Sequence, residues 1–442
     1  MNDYRALADA IAADIVAGRL RPGDRLPPQR SFALRRGVAT STASRAYGEL
    51  VRRGLAVGEI GRGTFVRAAV GPVEPALAEP SGARVDLELN FPVLPEQAGL
   101  MARSLAPLLR TDAMESSLRP VGAAGTSAAR AAGAELLSRA GWSPDPGDVL
   151  FAGNGRQAIA AAIAALVPPG ERLGVEHLTY PVVKGIAARL GVTLVPLAMD
   201  EDGVVPDGLA GGPPLRAVYL QPALHNPLGT TMPDQRRNDV AEILRRRGIV
   251  AIEDSIYSFL REDLPPLAML APDHVLVVDS LSKRLAPGLT LGFVVPPRRI
   301  AADLAGAIRS GAWMASRFAL DAATCWINDG TAAVVADAKR RDATARQAVA
   351  SERLAGLDLR ADPHAYHCWW LLPEPWRADT FVAAAGRLGI AVTPAGAFTV
   401  SAGHVPNAVR LALASPSLDV LATALEALAR LARRAPEDTD LE

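Results

Sequence analysis

Apolar residues recur at helical spacing at the start of the chain, where Tyr4, Leu7, Ile11 and Ile15 mark one face of a first amphipathic helix ending near Gly18. A turn-rich stretch over 18–28 follows, then a short second helix over 29–36 stopped by Gly37. Residues 40–50 predict a third helix, capped by Thr40 or Ser41, with Ala43, Tyr47 and Leu50 as its buried stripe. Ser41, Thr42, Ser44 and Arg45 stand at its start, off that stripe. Residues 55–66 predict a β-hairpin with Arg62 between glycines at its tip. From about 68 to 83 the chain is rich in Ala, Pro and Gly without periodicity, which predicts a linker. Apolar strands then alternate with amphipathic helices. Strands are expected over 149–152, 172–176, 193–196, 216–220, 249–253 and 275–279, and helices between them, such as 157–166 and 234–247. This alternation predicts a mostly parallel sheet covered on both faces. Beyond about residue 330 a long helix (331–354), strands near 367–372 and 408–413 and a final helix (418–431) predict a smaller α+β lobe.

Charge adds to this picture only at one end. The formal net charge is zero, yet residues 1–70 hold twelve arginines against six acidic residues, the signature of an attached nucleic-acid-binding module. A short helix, a tight Gly turn and a second helix form a helix-turn-helix. The first residues of its second helix reach base edges in the major groove, and a hairpin wing tipped by a cation can enter the minor groove. Residues 4–67, including the Arg-Pro-Gly-Asp-Arg-Leu-Pro-Pro-x-Arg run ending at Arg30, resemble the winged helix-turn-helix of GntR-type repressors. That resemblance implies DNA contacts from Arg30, Ser41, Thr42, Arg45 and Arg62, and Ser44 and Gly63 join them in the expected DNA-facing set. Arg35, Arg36, Arg52 and Arg53 are expected to be solvated.

Other classes recede. The two cysteines, Cys325 and Cys368, lack CxxC spacing, so neither a disulfide scaffold nor a cysteine zinc site is expected, and no metal is expected elsewhere. Asp3, Asp9 and Asp14 with no apolar h-region argue against a signal peptide, and no run of ~20 apolar residues is present to span a bilayer. A cytoplasmic protein with no membrane partner is the expectation.

The candidate chemistry centres on Lys283. Only three lysines occur in 442 residues, the others being Lys184 and Lys339, so a lysine here stands out as an amine rather than a surface cation. A buried lysine can lose its proton and attack an aldehyde, which arginine cannot. Lys283 follows a strand, and Ser280 and Ser282 beside it can donate to a phosphate. The segment 279–292 resembles the lysine motif of fold-type-I pyridoxal 5′-phosphate (PLP) enzymes.

Three further segments bear on that reading. At 151–158 a strand ends at Gly153-Asn154-Gly155-Arg156-Gln157 and opens a helix, whose N-terminus can bind phosphate. The same string fits a dinucleotide fingerprint with Glu176 as its ribose acid. A Rossmann oxidoreductase, however, expects that motif on its first strand and leaves Lys283 unexplained. At 221–229 a loop after a strand holds Asn226, which can donate to a phenolate oxygen; His225 is expected to be structural. At 252–257 Asp254 ends a strand, suiting a partner for a pyridine nitrogen, while Glu253 points to the opposite sheet face. Tyr257 follows three residues on.

In this order and spacing the segments resemble fold-type-I aminotransferases over about residues 86–435. The resemblance implies that Tyr180 stacks on the PLP ring, that Gly155, Arg156 and Gln157 hold phosphate with Ser280 and Ser282, and that Arg410 holds a substrate or effector carboxylate. One position departs: Thr290 stands where the family has a phosphate-binding arginine, with Arg284 and Arg156 as candidate substitutes.

A GntR-like head fused to such a body is similar to MocR-type transcription regulators. The expected fold is α/β: a winged helix-turn-helix (1–67), a linker (68–85), and a PLP-transferase-like body (86–435) whose small lobe spans about 330–435, before a tail (436–442). The resemblance implies a PLP-dependent homodimer that binds double-stranded operator DNA and senses an amino compound. The alternatives are a working aminotransferase with an accessory head, and a regulator that has lost PLP.

Overall fold

The computed structural model describes residues 4–16, 19–20, 24–53, 55–59, 63–66, 82–400 and 405–434. Arg62, most of the linker and the tail lie outside the described residues. In the head, α1 (Tyr4–Val16), α2 (Gln29–Arg36) and α3 (Thr40–Arg52) enclose Ala8, Ile11, Phe32, Ala43, Tyr47 and Leu50. The wing strands β1 (Ala56–Glu59) and β2 (Gly63–Val66) pair antiparallel, with Ala56 opposite Val66. One detail differs from expectation. The N-cap of α3 is Ala39, in extended backbone and without a side-chain cap. Thr40 and Ser41 are therefore the first helical residues, and their hydroxyls are not spent on capping the helix.

The body is built on a seven-stranded sheet. Its spatial order is Leu150–Ala152, Gly292–Val295, Val275–Ser280, Val250–Asp254, Ala217–Leu220, Arg172–Glu176, Thr193–Leu197. All strands run parallel except Gly292–Val295, which is antiparallel to both neighbours. The two-residue period of a strand decides which face each side chain meets. Val250, Ile252, Leu276 and Val278 pack beneath the helix Gly155–Leu166, against Ile159 and Ile163. Ala251, Val275 and Val277 pack on the other face with Val240 and Leu244 of the helix Asp234–Arg247. Each fully buried aliphatic of these layers stabilises by about 1.5–3 kcal/mol.

The smaller lobe carries a four-stranded antiparallel sheet, Asp358–Arg360, His367–Leu371, Ala408–Ala412 and Thr393–Pro394, with the helices Thr331–Arg353 and Leu418–Ala432. Val85, placed in the linker by the sequence, is instead buried in this lobe's core and opens its strap. Val85–Asp86 pairs parallel with Ile390–Ala391, and the Ala412 N–H donates to Leu87 O at 2.8 Å. The segment 85–91 then crosses towards the large lobe as a strap.

Candidate functional site

Parallel strands deliver their following loops to one edge of a sheet. Here Gly155, Tyr180, Asn226, Tyr257 and Lys283 each follow a strand of the large sheet, and all line one cavity of about 270 Å³ with Arg156, Asp254, Ser280, Ser282 and Arg410. Asp254 shares the parity of Val250 and Ile252 and so reaches the cavity face, where it accepts from Tyr219 Oη and from Gln221 Nε2 at 3.1 Å. Glu253, one residue earlier, faces Arg139 at 3.7 Å on the opposite side. Burial pushes the Asp254 carboxyl up to about 6, although the Tyr219 hydroxyl holds it back.

Lys283 sits on a single helical turn, Leu281–Arg284, whose N-cap Ser280 accepts from the Ser282 N–H at 3.2 Å. Its ammonium donates to Asn90 O at 2.6 Å and lies 4.7 Å from the centre of the Phe91 ring. Burial, then the nearby Arg156, Arg410 and Lys339 cations, push the amine down to about 7. The two other lysines are fixed to backbone carbonyls. Lys184 donates to Ala397 O at 2.6 Å and Thr399 O at 3.1 Å. Lys339, fully buried, donates to Lys283 O at 3.0 Å and to Leu285 O, clamping the turn that presents Lys283.

The strap supplies a wall of the cavity that sequence reasoning does not include. Three successive carbonyls are held by side chains across it: Glu88 O by Arg410 Nη2, Leu89 O by Ser415 Oγ and Asn90 O by Lys283 Nζ. Asn90 Nδ2 also donates to Tyr257 Oη at 3.3 Å. The Asn90-Phe91-Pro92 string directly after the alternating Val85, Leu87 and Leu89 was the available signal. Arg410, 3 % exposed, further donates to Thr393 Oγ1 at 3.0 Å and Asn226 Oδ1 at 3.3 Å.

Some expected site residues sit elsewhere. Gln157 is absent from the cavity wall: its N–H donates to Asn154 Oδ1 at 3.0 Å and its side chain turns towards Gly153. Arg284 is held by Asp279 at 3.3 Å and Glu262 at 3.8 Å, so of the two candidate substitutes for the family arginine only Arg156 lines the cavity. Arg156 Nε donates to Tyr180 Oη at 3.2 Å. Thr290 lines the cavity too, its hydroxyl 2.7 Å from that of Ser282. Glu176 is buried, accepting from the Gln221 N–H at 3.0 Å and facing His225 at 3.2 Å, which removes it as a ribose ligand.

In the head, Ser41, Ser44 and Arg45 are exposed at the start of α3, Thr42 is half-buried, and Arg30 is exposed on α2. Tyr47 Oη donates to Pro27 O at 2.7 Å and ties α3 to the preceding turn. Gly63 opens β2 at a φ of 118°, and a Cβ there would stand 2.8 Å from Arg25 Nε. Glycine there leaves room for Arg25, which lies 6.0 Å from the Phe65 ring centre. A shallow concavity between α3 and the wing is lined by Arg25, Arg30, Thr40, Ser41, Ser44 and Thr64.

Fold and site together define a class, a fold-type-I aminotransferase-like body behind a winged helix-turn-helix. Residues 95–428 match the family described as aminotransferase class I and II, and residues 3–66 match bacterial regulatory proteins of the gntR family. An uncharacterized HTH-type transcriptional regulator of Bacillus subtilis, YdeF, is 31% identical over 97% of this chain and 94% of its own length. The vitamin B6 salvage pathway transcriptional repressor PtsJ of Salmonella typhimurium is 27% identical over 89% of this chain and 90% of its own. The solved LysN, an α-aminoadipate aminotransferase of Thermus thermophilus complexed with N-(5′-phosphopyridoxyl)-L-leucine, superposes with a TM-score of 0.71 at 23% identity, over 79% of this chain and 92% of that one. The chain belongs to the HTH-type transcriptional regulators that join a gntR-family head to a class I and II aminotransferase-like body, the MocR type. No helix among the described residues is long and apolar enough to cross a membrane.

Proposed function

We propose that this regulator carries PLP on Lys283, binds operator DNA as a homodimer through residues 1–67, and responds to an amino compound taken up by residues 86–435. The convergence of the Lys283 amine, Asp254, Asn226, Tyr257 and Arg410 on one cavity carries the reading. The residues fit the cofactor. A Cβ at position 155 would lie 3.0 Å from Ser280 Oγ, so glycine there leaves room for the N-terminus of the helix Gly155–Leu166 to close against the serine and form a cradle of N–H and hydroxyl donors. Ser280, Ser282, Thr290 and Arg156 would hold the phosphate there, Asn226 and Tyr257 the phenolic oxygen, Asp254 the pyridine nitrogen, and Tyr180 a ring face. When bound, PLP supplies an aldehyde for amines and an electron-withdrawing ring.

The strap is the expected route to the head, because residues 68–85 lead directly into it. A ligand carboxylate on Arg410, or a modified Lys283 amine, competes with the bonds that hold Glu88 O and Asn90 O. Such a ligand binds two strap arrangements unequally, which is what coupling to DNA affinity requires.

The spectrum of the purified protein, titrated with PLP and then with amines, tests the cofactor reading. Only the neutral amine attacks an aldehyde, so the rate of PLP capture is expected to rise with pH through about 7 and level off above it. A rate that climbs on towards the ordinary lysine value of ~10.4 contradicts a depressed Lys283 amine; absence of a visible band on adding PLP contradicts the cofactor itself.

For the head, Arg45→Ala is expected to cost about 1–3 kcal/mol and relax preference at one base pair, as loss of a bidentate guanine contact does. Arg62→Ala is expected to weaken all sequences alike and lower the salt slope by about one, as loss of a phosphate contact does. Binding isotherms on operator variants at several salt concentrations separate the two, and an Arg45→Ala loss uniform across sequences contradicts its base-reading role.

A further inference from the structure

Glu88 lies on the strap at the cavity wall, half-buried, beside the guanidinium of Arg410. The two opposite charges are not paired with each other. Arg410 spends its donors on Glu88 O, Asn226 Oδ1 and Thr393 Oγ1, and its buried Nε has no acceptor. Among the described residues no hydrogen bond or ion pair is made to the Glu88 carboxylate, while its own N–H donates to Asp86 Oδ1 at 2.8 Å and fixes the backbone there. The cavity therefore presents an anion and a cation side by side, both short of a partner. A half-buried carboxylate left in this way favours a ligand that brings a cation to it. Burial, then Asp86, raise the Glu88 carboxyl above the usual carboxylate range, and Arg410 opposes them, so a second cation arriving at Glu88 would strengthen its ionised form.

We propose that the effector is a diamino carboxylate, whose carboxylate faces Arg410, whose one amine meets the cofactor, and whose distal amine is selected by Glu88. This rests on the PLP-sensor reading above and narrows its effector class. A monoamino monocarboxylate meets the cofactor and Arg410 but leaves Glu88 unpaired. A charge-assisted hydrogen bond contributes about 1.5–3 kcal/mol, which corresponds to roughly tenfold or more in affinity.

The test uses the full chain loaded with PLP. L-Ornithine and L-norvaline share a side-chain skeleton and differ by the terminal amine, so the ratio of their half-saturation concentrations, read from the spectrum and by calorimetry, isolates that group. The parent is expected to prefer ornithine by about tenfold or more, Glu88→Gln to lose the preference, and Glu88→Asp to keep part of it. A parent that responds to norvaline as well as to ornithine overturns the proposal while leaving the sensor reading standing. A Glu88→Gln variant that weakens both ligands by the same factor assigns Glu88 to the strap's structure and also overturns it. A parent whose spectrum answers no amine at all removes the sensor reading and this inference together.

Discussion

Borohydride reduction of the PLP-loaded protein is expected to leave the pyridoxyl group on Lys283 alone, and Lys283→Ala to abolish the visible band. Scarcity of lysine already points to this residue, and the surroundings of the three amines sharpen the point. Lys184 Nζ is shared between the Ala397 and Thr399 carbonyls. Lys339 is fully buried beneath the Lys283 turn and bonded to two of its carbonyls. Only Lys283 projects into the cavity that holds Asp254, Asn226 and Tyr257. Both buried amines are pushed down to about 7, chiefly by burial, so an easily lost proton does not distinguish them; access to the cavity does. Peptide mapping after reduction checks the assignment, and label on Lys184 or Lys339 contradicts it.

The second large effect is expected at Arg410. Truncating one partner of a desolvated charge pair costs about 2–5 kcal/mol, so Arg410→Ala should nearly abolish the spectral response to amines that bear a carboxylate. The decarboxylated amine of the same skeleton should respond in parent and variant alike. Arg410→Lys keeps the charge but loses the planar fork that reaches Glu88 O, Asn226 Oδ1 and Thr393 Oγ1 together, so an intermediate response is expected. Equal titrations of the carboxylate-bearing amine in parent and Arg410→Ala contradict the role.

The pattern of the chain made the body legible because its strands are buried on both faces and punctuated by long helices. The helices 29–36 and 234–247 and the strand 172–176 are found over those same residues. Gly292–Val295 is not announced by the alternation, since it returns antiparallel within a few residues of the Lys283 turn instead of after a helix. Strand parity separated Asp254 from Glu253 because a step of one residue reverses the face. The strap was not legible. Asn90 and Phe91 lie about two hundred residues from Lys283 in sequence, and nothing local says that a two-residue strand beside Ile390 will carry them across the cavity. Arg284 misled for the opposite reason: adjacency to Lys283 suggested a phosphate ligand, but on a single helical turn its side chain leaves on another side and meets Asp279 and Glu262.

Chemistry in the cavity is expected to alter how the head meets DNA. The measurement that bears on it most directly is operator affinity at fixed salt, for the protein alone, with PLP, and with PLP plus the amine that shifts its spectrum. DNA bending and tolerance of half-site spacing are followed in the same samples. The amine is expected to change at least one of these quantities, and Arg410→Ala to remove the change when the amine bears a carboxylate. An amine that shifts the spectrum yet leaves affinity, bending and spacing tolerance as they were contradicts the sensor mechanism and favours a body that turns over amino substrates behind an unrelated DNA-binding head.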